Sequence, residues 1–280
     1  MIIDSHVHVW TKDTAKFPMD GKLPEADASA ETLIKLQQEA GVDKAVIVQP
    51  RNYMWDNSYV ADCVKRFPER FTAIALIDPA SPEGPATLEK LYKKQGFTGV
   101  RLQLGWAKDP KENSDKNRDP FWKKAGELGA VLGLLGSGLD HSCVEPIIER
   151  HQNVKVVLDH LAGLSIEEQA PYMNRNSVMR LVKYPNVYVK VSLLHNKSKQ
   201  DYPYKDTFAL TKALYETYGP QRLMWGTDFP SVMAKCGVAK SIETVKQMDF
   251  LSASDKEWLF HKTSEKVWSW HGPKGAGKKK

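Results

Sequence analysis

The residues best suited to chemistry stand near the two ends of the chain. His6 and His8 lie one residue apart in Ile3-Asp4-Ser5-His6-Val7-His8-Val9-Trp10, and Asp228 lies in Leu223-Met224-Trp225-Gly226-Thr227-Asp228-Phe229-Pro230. Both segments read as buried strands, and side chains two apart on a strand share a face. His6 and His8 therefore converge on one point, and a fold that joins its first and last strands brings Asp228 to it. Two imidazoles with a carboxylate suit either metal binding or proton transfer. The bland alternative is a pair of satisfied core histidines; it explains a lone histidine better than it explains the set of three.

Further polar residues close other apolar runs. The second run ends in Gln49-Pro50-Arg51, the fourth carries Arg101 and Gln103, the sixth ends in Asp159-His160, and the seventh holds Lys190 and Ser192. A charge inside an apolar run is costly without a partner. Arg101 is thus either ion-paired to a carboxylate such as Asp78 or Asp159, or a clamp for a substrate carboxylate or developing oxyanion. Lys190 and Arg51 are further candidates for an anionic substrate, with Lys190 alternatively an outward residue that snorkels between helices. His160 reads as functional from its strand-end position. His195 sits in a loop expected to face the same mouth, whereas His141 and His261 read as packing residues. Tyr53, Trp55, Trp106 and Trp225 could wall a site, though each aromatic alone is more often a packing residue.

The elements that must position these groups alternate regularly. Strand-like runs fall at Ile2–His8, Lys44–Gln49, Phe71–Ile77, Phe97–Leu104, Ala130–Leu135, Val154–His160, Val187–Ser192 and Arg222–Thr227. Helical spacing fills the intervals at Ala30–Ala40, Asn57–Phe67, Pro85–Gln95, Pro120–Leu128, Cys143–Arg150, Arg175–Tyr184 and Asp206–Tyr218, then at Val238–Met248 and Ser254–Trp268. Eight strands with eight helical connections is the count of an α/β (β/α)8 TIM barrel. The near-continuous apolarity of Lys44-Ala45-Val46-Ile47-Val48-Gln49 suits parallel strands covered on both faces. A doubly wound open sheet usually carries a glycine-rich phosphate loop after its first strand, and this chain has none. In a barrel the segment Gly105–Asp119 would lie over the mouth, as a solvated loop or as part of a substrate cover.

Composition narrows the function classes. The 280 residues are 41% hydrophobic, enough to fill one large core. Net charge is +6, but removing Lys274, Lys278, Lys279 and Lys280 leaves +2, so no basic face for nucleic acid is indicated. Residues 1–271 are expected to form one domain and 272–280 a disordered lysine-rich tail. Cys63, Cys143 and Cys236 are too few and too scattered for a disulfide framework or a zinc ribbon. With no apolar leader and no run near 18 apolar residues, a cytoplasmic protein without membrane contact is expected. Homo-oligomerisation leaves no readable signature.

Four segments together resemble the amidohydrolase superfamily, in its amidohydrolase 2 branch: Ile3-Asp4-Ser5-His6-Val7-His8, Leu158-Asp159-His160-Leu161-Ala162-Gly163, Tyr188-Val189-Lys190-Val191-Ser192 and Trp225-Gly226-Thr227-Asp228-Phe229-Pro230. The resemblance spans all but the lysine tail. It implies a distorted (β/α)8 barrel with its site at the carboxyl ends of the strands, and a branch that includes sugar lactonases, a pyrone-dicarboxylate lactonase and zinc-dependent decarboxylases. Two departures matter. The fifth strand, Val131-Leu132-Gly133-Leu134-Leu135, lacks the histidine ligand of many zinc-dependent members, and Arg101 stands on the strand where binuclear members bridge two metals with a lysine. The resulting expectation is a lactonase acting on an anionic small molecule and requiring no cofactor. In it Asp228 activates water, His6, His8 and His160 orient water or carbonyl, and Arg101, Arg51 and Lys190 hold substrate. The alternative is a zinc or other divalent ion on His6, His8 and Asp228, serving a decarboxylase or hydrolase with His160 as proton donor. A non-catalytic barrel that binds small acids or a partner is the third reading; it leaves the cost of four buried polar side chains unexplained.

Overall fold

The computed structural model describes residues 1–20 and 24–270, so the proposed tail at 272–280 lies outside the described residues. Eight parallel strands form one sheet in the order β1 to β8: Ile3–Val7, Lys44–Val48, Phe71–Leu76, Phe97–Gln103, Val131–Leu135, Lys155–Leu158, Val187–Ser192 and Leu223–Gly226. The outer layer is α1 (Ala30–Glu39), α2 (Ser58–Arg66), α3 (Gly84–Lys94), α4 (Asp119–Leu128), α5 (Gly138–Arg150), α6 (Met173–Arg180), the short α7 (Leu194–Lys197), α8 (Phe208–Tyr218) and α9 (Gly237–Lys246). After it come α10 (Ala253–Glu257) and α11 (Thr263–Val267), joined by a π turn over Trp258–Lys262. The architecture is the expected TIM barrel. The element bounds differ from the sequence expectation mostly by one or two residues, and α5 begins five residues early, where Ser137 and Asp140 form a capping box.

Two apolar cores follow from strand parity. Side chains on the outer face of the strands merge with the helices into one large core, which includes Ile47, Ala73, Leu132, Val156 and Val189. The inner face makes a second, smaller core of Val46, Val48, Ile74, Val131, Val157, Tyr188 and Met224, against which Val267 and Trp268 pack. The chain end therefore fills the amino-terminal mouth of the barrel, where Thr72 also donates to the Ser269 carbonyl at 2.8 Å. Two residues further along the same strands, on the same inner face, the lining turns polar: Arg101 after Gly99, Asp159 after Val157, and Lys190 after Tyr188.

The barrel closes between β8 and β1 without a regular ladder. Outside the named strands only a single bridge, Val7 to Phe229, joins them among the described residues. Side chains complete the seam. Thr227 donates its amide to Asp4 Oδ1 at 2.9 Å and its hydroxyl to Asp4 Oδ2 at 2.6 Å, while Ser5 Oγ donates to the Trp225 carbonyl at 2.6 Å. Gly226 permits this approach, since a Cβ there would lie 2.9 Å from both the Cβ and the amide nitrogen of His6. Asp4 is fully buried, and burial pushes its carboxyl up to about 7 despite the bonds from Thr227 and the His6 amide.

A folded-state pKa above the unfolded value of about 3.9 means that Asp4 favours the fold most below pH 4. That contribution is lost as pH rises through about 7. Asp4→Asn keeps an acceptor for the Thr227 amide and removes the titration. Urea midpoints measured from pH 4 to 8 are expected to decline less steeply with rising pH in Asp4→Asn than in the parent. Parallel slopes would dissociate Asp4 from the pH dependence.

Candidate active site

At the carboxyl ends of the strands the chain turns sharply, and three turns use left-handed backbone: His160 (φ 55°), Leu193 (φ 61°) and Asp228 (φ 60°). Non-glycine residues seldom adopt this region, and such strain gathers at functional sites. Strand β6 stops at Leu158, so parity would turn His160 away from Asp159. The left-handed turn aims it back, and its ring centroid lies 4.4 Å from that of His6. Asp228 likewise sits just beyond β8, its amide donating to the His6 carbonyl at 2.8 Å.

The floor of the site is a buried ion cluster around Asp159. Its Oδ2 accepts from Arg101 Nε at 2.9 Å. Its Oδ1 lies 3.1 Å from Lys190 Nζ and 3.4 Å from His6 Nδ1, the first an ion pair rather than an aligned hydrogen bond. Burial alone would raise the Asp159 carboxyl, but Lys190, His6 and Arg101 hold it well below the usual range. The sequence left Lys190 with an outward alternative; it is instead wholly buried, faces inward, and has Trp268 beneath its ammonium at 5.4 Å. It lies below the cleft rather than in its wall. The ion-pair reading of Arg101 is correct for Nε, while Nη2 continues to His160 Nε2 at 3.4 Å.

Above this floor three imidazoles surround one carboxylate oxygen. Asp228 Oδ1 lies 3.5 Å from His6 Nε2, 3.5 Å from His8 Nε2 and 3.8 Å from His160 Nε2. Ser231 Oγ donates to Asp228 Oδ2 at 2.6 Å, and His195 Nε2 meets Ser231 Oγ at 3.0 Å. Burial opposes ionisation of Asp228, yet its contacts with His8, His6 and His160 push its pKa below the ordinary carboxylate range. Burial also lowers His6 well below the usual imidazole value, with Lys190 adding to the effect, and takes His160 down to about 4.

The far nitrogens assign the protons by their partners. His8 Nδ1 lies 2.8 Å from the Val48 carbonyl, which can only accept, so His8 Nε2 carries a lone pair. Arg101 can only donate to His160 Nε2, so the His160 proton is on Nδ1, 2.9 Å from Ser192 Oγ. The Lys190 ammonium, 3.1 Å from His6 Nδ1, favours the His6 proton on Nε2, against Asp159 Oδ1 at 3.4 Å from the same nitrogen. In this arrangement the lone pair of His160 Nε2 accepts from Arg101. His6, His8 and Asp228 also fit one divalent ion: His6 Nε2 and His8 Nε2 are 3.3 Å apart, and each is 3.5 Å from Asp228 Oδ1. Ligands of a tetrahedral zinc at about 2.0–2.1 Å stand about 3.3–3.4 Å from one another. Loading such an ion requires the His6 proton to move to Nδ1, where Asp159 Oδ1 can accept it.

The cleft above measures about 440 Å³ and is lined by His8, Trp10, Arg51, Arg101, His160 and Leu193, among others. Arg51 is exposed at its rim. Of the aromatics, Tyr53 and Trp225 are buried in the core, whereas Trp55 and Trp106 are exposed. His141 is buried, as its packing reading requires, with neither ring nitrogen bonded, and His261 pairs with Glu265 on the surface. Sequence reasoning underweighted Asp159, the hub of the cluster, and missed Ser231. Parity along β6 and β7 carried a signal for the first, since it turns Asp159 and Lys190 both inward.

The sequence profile of the amidohydrolase family matches residues 3–270. The chain is 28% identical over 232 residues to the 4-sulfomuconolactone hydrolase of Hydrogenophaga intermedia, covering 81% of this chain and 74% of that one. It is 24% identical over 234 residues to the L-fucono-1,5-lactonase of Burkholderia ambifaria, covering 81% and 80%. Among solved structures, an amidohydrolase from Burkholderia multivorans with bound zinc superimposes with a TM-score of 0.76 at 20% identity, covering 95% of this chain and 98% of that one. That likeness is one of fold.

Removing one partner of a buried ion cluster leaves an uncompensated charge, at about 3–5 kcal/mol. Lys190→Met is expected to destabilise the protein by that amount in urea unfolding, and Lys190→Met with Asp159→Asn by less than the sum of the two single changes. Strict additivity would show that the two residues do not interact.

Proposed function

The chain belongs to the amidohydrolase family, and from that premise we propose that it hydrolyses the lactone of an acidic small molecule, with Asp228 as general base. Its relatives include lactone hydrolases, and the family assignment makes it a hydrolase. The observation that carries the proposal is the asymmetry of Asp228. One oxygen accepts from Ser231, and the other faces three imidazole nitrogens at 3.5–3.8 Å.

Water placed at Asp228 Oδ1 finds two acceptors, that oxygen and the lone pair of His8 Nε2, the His160 Nε2 lone pair being taken by Arg101. Both water protons are thereby bound and its own lone pair is aimed outward. As water attacks the lactone carbonyl, one proton passes to Asp228 and negative charge grows on the carbonyl oxygen. Arg101 and the Nε2–H of His6 are the donors available to meet it. Collapse of the tetrahedral adduct breaks the ring C–O bond, and Asp228 returns its proton to the leaving alkoxide, which gives a hydroxy acid. Arg51 at the rim suits a carboxylate on the substrate.

His6, His8 and Asp228 are the residues that would hold a divalent ion. Such an ion, when bound, would acidify water and polarise a carbonyl. The residues of the chain supply a base, a water-binding site and oxyanion donors without it, and Leu135 ends β5 where many zinc-dependent members carry a ligand.

A pH-indicator screen of lactones, run with and without chelator beside metal analysis of the protein, tests the reading. Hydrolysis that survives chelation is expected. Loss on chelation with recovery on zinc would assign the reaction to the metal form, and carbon dioxide release without lactone opening would assign a decarboxylase. Asp228→Asn should lower kcat by about 10²–10⁴-fold with the fold intact; an unchanged kcat removes Asp228 from the mechanism. Because Asp228 is held below the ordinary carboxylate range and His160 near 4, kcat/KM is expected to fall as pH drops through about 4. A rate that stays level through pH 4 would dissociate His160 from the reaction.

A further inference from the structure

A second cavity, of about 480 Å³, opens at the carboxyl ends of β3 and β4, lined among others by Trp55, Leu76, Asp78, Gln103, Trp106 and Arg118. It adjoins the catalytic cleft through β4, because Gln103 follows Arg101 by two residues on the same face of the strand. None of these residues has a part in the reaction above. The segment Gly105–Asp119 that forms one wall folds into three short 3-10 turns, so it is ordered rather than a loose loop.

Two observations favour a ligand in this cavity. Trp55 and Trp106 are 44% and 43% exposed, and their rings meet edge to face with centroids 5.6 Å apart. Two large apolar rings held together at an opening are unusual on a surface with nothing to cover them. In the same cavity, Gln103 Nε2 and Arg118 Nη1 are shielded from solvent and have no hydrogen-bond partner. A buried donor without an acceptor carries a penalty that a ligand oxygen would remove. Among the described residues Arg118 is tethered by Nε alone, at 3.4 Å from the Glu112 carbonyl. The lining holds Lys108 and Arg118 with Asp78 and Glu112, so the cavity has no net charge that repels an anion.

We propose that this cavity is a second binding subsite, which takes a planar ring against Trp55 and Trp106 and the ring's carboxylate on Gln103 and Arg118. On the lactonase reading, on which this extension rests, the substrate is then a two-part molecule: a lactone over Asp228 and a planar acidic arm over β4. The volume suits a single ring with its substituent.

Benzoate, benzamide and acetate serve as probes, titrated into the full-length protein by calorimetry and tryptophan fluorescence. Benzoate is expected to bind and to quench fluorescence, with acetate and benzamide weaker by about tenfold or more. Trp106→Ala and Arg118→Met should each weaken benzoate by about tenfold, the scale of one aromatic contact or one charged hydrogen bond. Gln103→Leu, which removes the amide without changing the charge and should also weaken benzoate, is the control where Arg118→Met fails to fold. Benzoate binding unchanged in these variants but lost in Arg101→Met would put the probe in the catalytic cleft and overturn the subsite. Equal binding of benzamide would overturn its preference for an acid. The titrations read binding without turnover, so a failed lactone screen and a failed subsite are separate results.

Discussion

The site depends on one buried carboxylate. Asp159 contacts Arg101 from β4, Lys190 from β7 and His6 from β1, so a single side chain ties three separate strands across the barrel interior. Ionised groups are removed from water here only because each has an opposite charge or a hydrogen bond within about 3.4 Å of it. Such a cluster is a weak source of net stability, because desolvation offsets most of the attraction. What it provides is position. With Asp159 fixed, the Arg101 guanidinium and the His6 ring have one orientation each, and the groups they present upward into the cleft are set before any substrate arrives.

The seam between β8 and β1 makes the same point from the other side. A regular ladder there would need two flat strands, but Asp228 must leave β8 through a left-handed turn to face the imidazoles. The side chains of Asp4, Ser5 and Thr227 replace the missing ladder bonds, and the absence of a Cβ at Gly226 lets His6 pack against the turn. The short segments that read as a motif, Asp4-Ser5-His6 and Gly226-Thr227-Asp228, thus divide between closure and chemistry. Asp4, Ser5, Gly226 and Thr227 hold the two ends together so that His6 and Asp228 can meet.

Near-continuous apolar runs alternating with helical spacing were enough to identify the barrel, because parallel strands covered on both faces read that way. The convergence of His6, His8 and Asp228 was legible for the same reason. Strand parity also held the inward direction of Lys190 and Asp159, but their pairing across β6 and β7 depends on register, which no local pattern encodes. His160 shows the limit most clearly. Parity points it outward, and only the left-handed turn after β6 returns it to the site. Ser231 was invisible, since a serine after Asp-Phe-Pro carries no signal until the turn brings its hydroxyl 2.6 Å from Asp228 Oδ2.

The three imidazoles cannot be alike. Each has its far nitrogen held by a different kind of partner: a carbonyl for His8, a hydroxyl for His160, an ammonium for His6. A carbonyl demands a proton and an ammonium refuses one, so the near nitrogens of His8 and His6 are unlike although the residues are two apart on one strand. Around Asp228 this leaves the lone pair of His8 and the N–H of His6, with the His160 lone pair turned to Arg101. Moving the single proton of His6 from Nε2 to Nδ1, toward Asp159, gives three bare donors at the spacing of a metal site. The two chemistries met in this family therefore differ here by one proton on one ring. The residue that biases that proton is Lys190, which lies below the cleft in the buried layer.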